Sequence, residues 1–446
     1  MPQDPNLITM YTCGPTVYDY VTIGNFRTYT LGDLIYRVLD SRKYKIKYVM
    51  NLTDVGHLTG DNEGDADTGD DRIEKSAEKE GKSAREIADF YINDFLKSFE
   101  ELNLEKPSKF ARATDYIGEQ IELVKKLERG GFTYETSDGV YFDTSRYPDY
   151  GKLSGLTAET VKEGARVEVN PEKKHPTDFA LWKFSPKDTV RWQEWESPWG
   201  RGFPGWHLEC SAMAMKELGE TVDIHLGGED LRMVHHQNEI AQSECATGKQ
   251  FVRYWVHGAF LQVDGGRMSK SKGNAYTLAD LKEKGYDPIA LRYLFMSAHY
   301  RTPLNFTWDA LNGAQIALKK LYSLVGDYRE EGGDVDDDFM EGFENALDED
   351  LNIPKTIALV WDLLKSDLPE ATKLVTLLKV DEILGLNIAD YVGYEIPKEV
   401  VDLAKIRQEY RKTGIWDKAD LMRKQIEAQG FLVEDKGDGF KIKRKL

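Results

Sequence analysis

Residues 7–51 read LITMYTCGPTVYDYVTIGNFRTYTLGDLIYRVLDSRKYKIKYVMN, and this stretch predicts the fold of the N-terminal part of the chain. The short apolar run of residues 7–12 has strand character and stops at a glycine–proline pair. Apolar residues recur at helical spacing over residues 24–39, and residues 44–51 alternate as a second strand. A strand, a helix and a strand in this order predict a βαβ unit with a parallel sheet.

Two glycine-bearing turns lie where a nucleotide commonly meets such a sheet. The first, residues 22–25, opens the predicted helix, and Gly24 there would let a phosphate approach the unpaired N–H groups of the helix end. The second, residues 225–230, follows a strand-like run over residues 221–224. Strand-to-turn junctions of this kind bind nucleotides in α/β proteins, so both turns are candidate nucleotide contacts.

Metal-ligand residue types are interleaved with the second turn. Cys210 precedes it, and His235, His236 and Glu239 follow it. Positions i and i+4 of a helix lie on one face, so His235 and Glu239 can converge on one point. Sulfur, imidazole and carboxylate are the ligand types that bind zinc, which suggests a metal and a nucleotide in one active site.

Composition excludes several classes of protein. No apolar run among the 446 residues reaches the ~18–20 residues that a membrane span needs. The N-terminus has no basic segment before its apolar run, which argues against a secretory signal. Three cysteines are too few for a disulfide framework, so a reducing cytoplasm is expected.

Charge is unevenly distributed along the chain. The net charge of −18 argues against indiscriminate nucleic-acid binding, although it leaves room for a local basic patch. Residues 401–446 hold twelve Lys or Arg against eight Asp or Glu, which suits either a polyanion or a solubilising tail. Residues 330–350 carry eleven acids and no base, which predicts a solvated connector.

The rest of the chain divides by pattern into further segments. The predicted order is a mobile acidic loop at residues 53–71, helices at 71–102 and 113–129, an inserted and partly β module at 132–187, a return of the sheet from Trp192, mostly helical sequence to about residue 388, and a small final unit with a turn at residues 438–439.

The segment RMSKSKGN, residues 267–274, is the most specific short motif. Cations on a glycine-flanked loop can swing over a triphosphate and neutralise the charge that builds during phosphoryl or adenylyl transfer. A lysine-rich loop by itself is more often a solvated turn. Its occurrence on the same chain as the turn at residues 22–25 favours phosphate chemistry.

Taken together, these motifs resemble class I aminoacyl-tRNA synthetases, most closely their cysteine-specific branch. The resemblance covers about residues 10–440 and rests on the segments CGPTVYDYVTIGNFRTY, GWHLECSAM, IHLGGED, HHQNEIAQSE, RMSKSKGN and SAHYRTPLNF. It implies an α/β fold with three parts. These are a Rossmann-type catalytic domain at residues 1–285, with an insertion at about 110–190 and a mobile phosphate loop at 265–274; a helical stem and bundle at 286–395; and a small anticodon-binding module at 396–446.

The resemblance also implies one Zn²⁺ per chain. Its ligands would be Cys13, Cys210, His235 and Glu239. The substrate L-cysteine would be bound near Thr53, Trp206 and His225. Zinc would solve a selectivity problem, because an apolar pocket discriminates poorly between cysteine and serine whereas the metal favours a soft thiolate. Four protein ligands usually form a closed structural site, so substrate binding would require five-coordination or a loosened carboxylate. His236 is expected beside the ligands and Cys245 in the core.

By the same resemblance, ATP and Mg²⁺ would bind at the two turns and the phosphate loop. The nucleotide contacts would be Gly24, Asn25, Gly228, Asp230 and Lys270, and the groups that stabilise the reacting phosphates would be Thr22, Asn25, Arg267 and Lys270. The chain departs from the family at Thr22, where a histidine is usual, and a threonine hydroxyl cannot carry positive charge. Arg267 replaces a lysine and keeps the charge. Acyl transfer to the terminal ribose of tRNA(Cys), at the 2′-OH, would complete the reaction.

Two other functions stay open at this point. A ligase that joins cysteine to an amino-sugar uses a related catalytic domain. A zinc- and tRNA-binding paralogue could have lost adenylation through Thr22. The expectation overall is a cytoplasmic, monomeric enzyme that binds no membrane.

Overall fold

The computed structural model describes residues 2–55, 72–155, 170–185, 191–269, 273–328, 332–393, 396–437 and 439–444. The chain forms two compact units. The first comprises Met1–Lys284 with Tyr300–Phe306, and the second comprises Gly285–His299 with Thr307–Leu446. Across the described ranges, no helix is long and apolar enough to cross a membrane.

Within the described residues, the strands of the first unit form three sheets. They are β1 (Ile8–Thr12), β2 (Ile46–Leu52), β3 (Lys109–Arg112), β4 (Thr133–Thr136), β5 (Gly139–Phe142), β6 (Phe179–Phe184), β7 (Gly202–Pro204), β8 (Val222–Gly228), β9 (Val252–Gly258), β10 (Leu261–Val263), β11 (Gly266–Arg267) and β12 (Leu304–Phe306).

The helices of this unit connect and cover the sheets. They are α1 (Ile23–Ser41), α2 (Arg72–Glu80), α3 (Ala84–Glu101), α4 (Ile117–Arg129), α5 (Trp206–Leu218), α6 (Glu229–Met233), α7 (His235–Thr247) and α8 (Leu278–Glu283), with 3₁₀ turns at Ala113–Tyr116 and Thr144–Arg146.

The central sheet is parallel and has the order β3-β2-β1-β8-β9 within the described chain. All five residues of β1 are buried, as expected for the middle strand of a sheet covered on both faces. The α/β fold and its βαβ unit, β1–α1–β2, are therefore confirmed. In such a sheet the carboxyl ends of the strands meet along one edge, and this edge carries the candidate site.

The second sheet, β4-β5-β6-β7, is antiparallel and forms the inserted module. The expected return of the central sheet from Trp192 is wrong, because β7 pairs with β6 in this inserted sheet. Close backbone approach fixes the pairing: a Cβ on Gly202 would lie 2.0 Å from the carbonyl oxygen of Lys183. The central sheet returns only with β8.

The turn predicted at residues 225–230 is also wrong, because strand and helix follow one another there directly. The segment from His225 to Gly228 continues β8 and pairs with β9, and Gly228 then caps α6. His225 is thereby placed on a buried strand rather than on an open turn. The loop expected at residues 53–71 lies outside the described residues from 56 onward.

The second unit is mainly helical. Its elements are α9 (Pro288–Met296), α10 (Trp308–Val325), α11 (Asp337–Asp348), α12 (Ile353–Lys365), α13 (Glu370–Leu384), a 3₁₀ turn (Ile388–Tyr391), α14 (Lys398–Lys412), α15 (Trp416–Ala428) and the hairpin strands β13 (Phe431–Lys436) and β14 (Gly439–Arg444). The acidic connector predicted at residues 330–350 is wrong for its larger part, because α11 buries Phe343 and Leu347 on one face.

The last two helices and the hairpin share a small apolar core. Val400, Ala404, Ile426, Val433 and Ile442 form it. Arg407 is buried beside this core and its Nη1 lies 2.7 Å from Asp435 Oδ1. The carboxylate therefore compensates the charge of the guanidinium.

Candidate active site

The four predicted metal ligands converge at the carboxyl edge of the central sheet. Cys13 directly follows β1, and its N–H donates to the carbonyl of Leu226 on β8. Cys210 lies in α5, and α7 begins at His235. The ligand atoms of Cys13, Cys210, His235 and Glu239 all lie within 4.8 Å of one another, and all four residues are buried.

The distances within this cluster suit a small cation. His235 Nε2 lies 3.1 Å from Glu239 Oε1, and Cys13 Sγ lies 3.8 Å from the same oxygen. Ligands ~2.0–2.3 Å from a tetrahedral zinc ion are themselves about 3.3–3.8 Å apart. Glu239 is 0% exposed, and its Oε2 has no hydrogen-bond partner within the described structure. An uncompensated buried carboxylate oxygen is costly unless a cation or donor meets it, so the residues fit a metal ion.

Charges inside the cluster are strongly coupled. Burial alone would lower the pKa of His235, but the negative charges of Glu239 and Cys210 outweigh it and raise the pKa to about 10. Burial raises the pKa of Glu239. A hydrogen bond from the Cys13 thiol lowers the pKa of Cys210 to about 7, whereas burial raises the pKa of Cys13. The site therefore favours one thiolate, which is the form of cysteine that a metal ion would require.

A second donor set shares two of these ligands. Cys13, His225, His236 and Glu239 also place one ligand atom each within 4.8 Å of the others. His225 Nε2 and His236 Nε2 lie 3.4 and 3.5 Å from Cys13 Sγ. His236 was expected beside the ligands rather than among them, and the two sets leave both arrangements geometrically open.

The sequence did not single out the strand that packs against these histidines. On β9, Trp255 is paired with His225 and His257 with Gly227. Trp255 stacks on His225 at 4.4 Å between ring centroids, and His257 Nε2 lies 2.8 Å from His236 Nδ1. Alternation along β9 puts Trp255 and His257 on one face, which was the available signal.

Burial keeps most of these imidazoles neutral. It lowers the pKa of His225 and of His236 well below the ordinary value, and it lowers the pKa of His257 to about 4. His207 extends the group, with its Nδ1 3.0 Å from Nδ1 of His235. Neutral imidazoles present a lone pair, which is the form that ligates metals.

The predicted amino-acid contacts lie around the cluster. The Trp206 ring is 4.5 Å from that of His235, and His225 is part of the second donor set. Thr53 follows β2 and is buried; its backbone N–H donates to Pro15 and its carbonyl accepts from Val17.

At the start of α1 the predicted nucleotide contacts face one another. Thr22 is the N-cap, and its hydroxyl donates to Asn25 Oδ1 at 2.8 Å. The first turn of α1 carries no acid, so the positive end of the helix dipole is uncompensated. Gly24 faces Met268: a Cβ added at Gly24 would lie 3.5 Å from the Met268 sulfur. The structure therefore brings the helix start and the phosphate loop together.

The described part of the phosphate loop is closed by Asn274. Its Oδ1 accepts from the N–H of Ser269 at 2.8 Å, and its Nδ2 donates to the carbonyl of Arg267. Arg267 is exposed on β11, and Lys270 lies outside the described residues. Asp230 is exposed in the first turn of α6, two residues after Gly228. Gly228 must lack a side chain because a Cβ there would lie 2.3 Å from Asp230 Oδ1.

The fold and the site define the class of the chain, and comparison with known proteins agrees. Residues 1–316 match the family described as the class I (C) tRNA synthetase catalytic domain. Two structures of Mycobacterium tuberculosis methionyl-tRNA synthetase with methionyl-adenylate share the fold, each with a TM-score of 0.60 over 86% of this chain and 93% of theirs. Their sequence identities are 14% and 15%.

Curated relatives narrow the class to one family. The chain is 47% identical to cysteine–tRNA ligase 1 of Burkholderia lata over 438 residues, which is 98% of this chain and 92% of the relative. It is 40% identical to the cysteine–tRNA ligase of Treponema denticola, over 96% and 93% of the two chains. It is 38% identical to that of Borrelia turicatae, over 98% and 95%. The chain belongs to the cysteine–tRNA ligase family.

Proposed function

We propose that this chain activates L-cysteine with ATP and transfers it to the 3′ end of tRNA(Cys). The observation that carries the proposal is the cluster of Cys13, Cys210, His235 and Glu239 at the strand ends of a chain that resembles cysteine–tRNA ligases over nearly its whole length. A soft-ligand metal site at this position matches a substrate whose distinguishing atom is sulfur.

Those four side chains would hold one Zn²⁺ per chain. Zinc coordinates a thiolate in preference to a hydroxyl and lowers the pKa of the thiol it binds, which would separate cysteine from serine. The chain's own contribution is to present a thiolate-favouring, buried pocket. Trp206, whose ring packs on that of His235, would line the amino-acid pocket together with Thr53 and His225.

Adenylation would need positioning more than proton transfer. The cysteine carboxylate is already ionised, and its attack on the α-phosphate releases pyrophosphate and forms cysteinyl-adenylate without a general base. Gly24, Asn25 and the N–H groups of α1 would bind the phosphates, and Asp230 beside Gly228 would bind the ribose. Arg267 and Lys270, with the Mg²⁺ that accompanies ATP, would stabilise the charge of the transition state.

Thr22 would act through its neighbour. Because its hydroxyl donates to Asn25 Oδ1, it orients that amide so that Nδ2 remains available to a phosphate. Thr22 would thus replace the family histidine as an orienting group, and the positive charge would come from Arg267 and Lys270.

The tRNA would also use the second unit. Trp416 is 58% exposed at the start of α15, and the Arg411 guanidinium lies 5.5 Å from the centre of its ring. Exposed aromatic and cationic groups bind unstacked bases, so residues 396–446 would read the anticodon. The 2′-OH of the terminal ribose would then attack the adenylate. We place this reaction in the cytoplasm, carried out by a monomer.

The test is cysteine-dependent ATP–pyrophosphate exchange, with serine as the control and without tRNA. Exchange with cysteine and not with serine is expected, followed by charging when tRNA(Cys) is added. An amino-sugar ligase would show exchange but transfer cysteine to an amino-sugar rather than to tRNA. Absence of exchange from folded, zinc-loaded protein would refute adenylation and favour a binding paralogue.

A further inference from the structure

Asn51 connects two parts of the site that the chain brings together from different strands. It is the penultimate residue of β2 and is 2% exposed. Its Oδ1 accepts from the N–H of Gly14 at 2.8 Å, and its Nδ2 donates to Thr53 Oγ1 at 3.0 Å. The side chain thus bridges the residue after Cys13 to the threonine of the amino-acid pocket.

The orientation of this amide is determined by its partners. The backbone N–H of Gly14 is a donor only, so the oxygen of the Asn51 amide must face it and the NH₂ group must face Thr53. The Thr53 hydroxyl then accepts one hydrogen bond, and its own proton must point to a different acceptor. Backbone hydrogen bonds to Pro15 and Val17 already hold the main chain of Thr53. The hydrogen bond from Asn51 therefore fixes the orientation of the Thr53 side-chain hydroxyl.

Packing makes the same connection rigid. A Cβ on Gly14 would lie 1.9 Å from the backbone oxygen of Asn51, so the chain after β1 presses directly on β2 at this residue. Cys13, one residue earlier, donates its N–H to Leu226 on β8. The Cys13 backbone is therefore held from both sides, by β8 directly and by Asn51 through Gly14.

We propose that Asn51 is a positioning residue of the amino-acid site, which holds the Cys13 thiol and the Thr53 hydroxyl in one fixed arrangement. The inference rests on the proposed cysteine activation. Asn51 itself does not touch the reacting atoms. Its loss releases both ends of the bridge, so amino-acid binding is affected while ATP binding at α1 is not.

Exchange kinetics provide the first test. Asn51→Ala is expected to raise KM for cysteine about tenfold, which corresponds to ~1.4 kcal/mol, with KM for ATP changed less than twofold. Thr53→Val removes the acceptor at one end of the bridge and is expected to raise KM for cysteine as well. If the two residues act together, the double variant is less impaired than the product of the single effects.

The matched control is Asn170→Ala in the inserted module. The Asn170 amide also donates through Nδ2, to Asp138 and Tyr141, and accepts through Oδ1, from the N–H of Glu172, and these partners all belong to the inserted module. It is expected to leave KM for cysteine unchanged. The positioning role of Asn51 would be refuted by an equal rise in KM for cysteine in Asn51→Ala and Asn170→Ala. It would also be refuted if the effects of Asn51→Ala and Thr53→Val on KM multiply in the double variant.

A spectroscopic readout separates this inference from the proposed function. Protein loaded with Co²⁺ in place of zinc has a thiolate-to-cobalt charge-transfer band that depends on how the cysteines are held. The band is expected to shift or weaken in Asn51→Ala and to be unchanged in Asn170→Ala. An unaltered band in Asn51→Ala overturns the positioning role even if the wild-type chain fails to activate cysteine.

Discussion

Gly227 provides a sharp test of the packing behind the four predicted metal ligands. It lies on β8, paired with His257, and has no side chain where His236 approaches. In Gly227→Ala the new Cβ would lie 2.6 Å from Cε1 and 2.8 Å from Nε2 of His236, and 2.9 Å from Cδ1 of Leu231. Carbon atoms in ordinary contact are ~3.5–4.0 Å apart, so the His236 ring must move by about 1 Å.

The ring has little room for that movement. The rings of His225 and Trp255 are 4.9 and 4.7 Å away between centroids, and Nδ1 is held by His257. Overpacking of this kind costs about 1–3 kcal/mol. For a unit of this size the expected fall in melting temperature is about 2–6 °C. Thermal unfolding of the zinc-loaded protein measures the change in melting temperature, and plasma mass spectrometry measures the zinc content of the same sample.

The control is Gly118→Ala, since no atom lies within 4 Å of a Cβ at Gly118 in α4. It is expected not to lower the melting temperature, because the new methyl group meets no other atom and alanine is the better helix former. Gly227→Ala should keep one zinc per chain, because Cys13, Cys210, His235 and Glu239 are not displaced. An unchanged melting temperature would refute the contact argument, and loss of zinc from folded protein would make His236 a ligand.

Three further outcomes are expected. In metal-free protein the thiolate absorbance at 240 nm should rise with a midpoint near pH 7 for Cys210. Cys13→Ala should move that midpoint to higher pH, because the hydrogen bond that lowers the pKa of Cys210 is lost while burial still raises it. An unmoved midpoint would contradict this. Lys270→Ala should lower the exchange rate about 10²-fold with KM for cysteine unchanged. The control Lys249→Ala removes a surface lysine paired with Glu220 and should leave the exchange rate unchanged. A raised KM for cysteine with an unchanged exchange rate in Lys270→Ala would mean that the phosphate loop is wrongly assigned. Trp416→Ala should raise KM for tRNA(Cys) about tenfold and leave exchange and melting temperature unaffected, and weaker exchange would count against an anticodon role.

Residue spacing along the sequence correctly predicted those parts of the fold and site that depend on neighbouring residues. The βαβ unit follows from apolar spacing, and the convergence of His235 on Glu239 follows from i,i+4 geometry at the first turn of α7. Cys13 is different, because it lies 226 positions from Glu239 and meets it only through the order of the parallel strands. No periodicity relates such residues, so only the family resemblance suggested that they belong to one site.

The contacts of the site that the sequence did not predict depend on strand register and on the close approach of backbone segments. Trp255 and His257 reach the histidine group because β9 pairs with β8 in one register, and sequence alone does not fix that register. The bridging role of Asn51 depends on the exits of β1 and β2 lying side by side. The length of β8 was underestimated because its two glycines were interpreted as a turn, although they serve close packing against Asp230 and His236.

The wide separation of the cluster residues along the chain has a consequence for biogenesis. Cys13 leaves the ribosome long before Glu239, and every segment between them must be accommodated before the two side chains can meet. Closing so long a loop has an entropic cost that is recovered only when β1 and β8 pair. A nascent chain therefore has no assembled set of the four predicted ligands until β8 and α7 have been synthesised and docked. Acquisition of an ion would therefore follow the pairing of β1 with β8 rather than nucleate the first unit, unlike in a zinc finger, where the metal organises a short peptide.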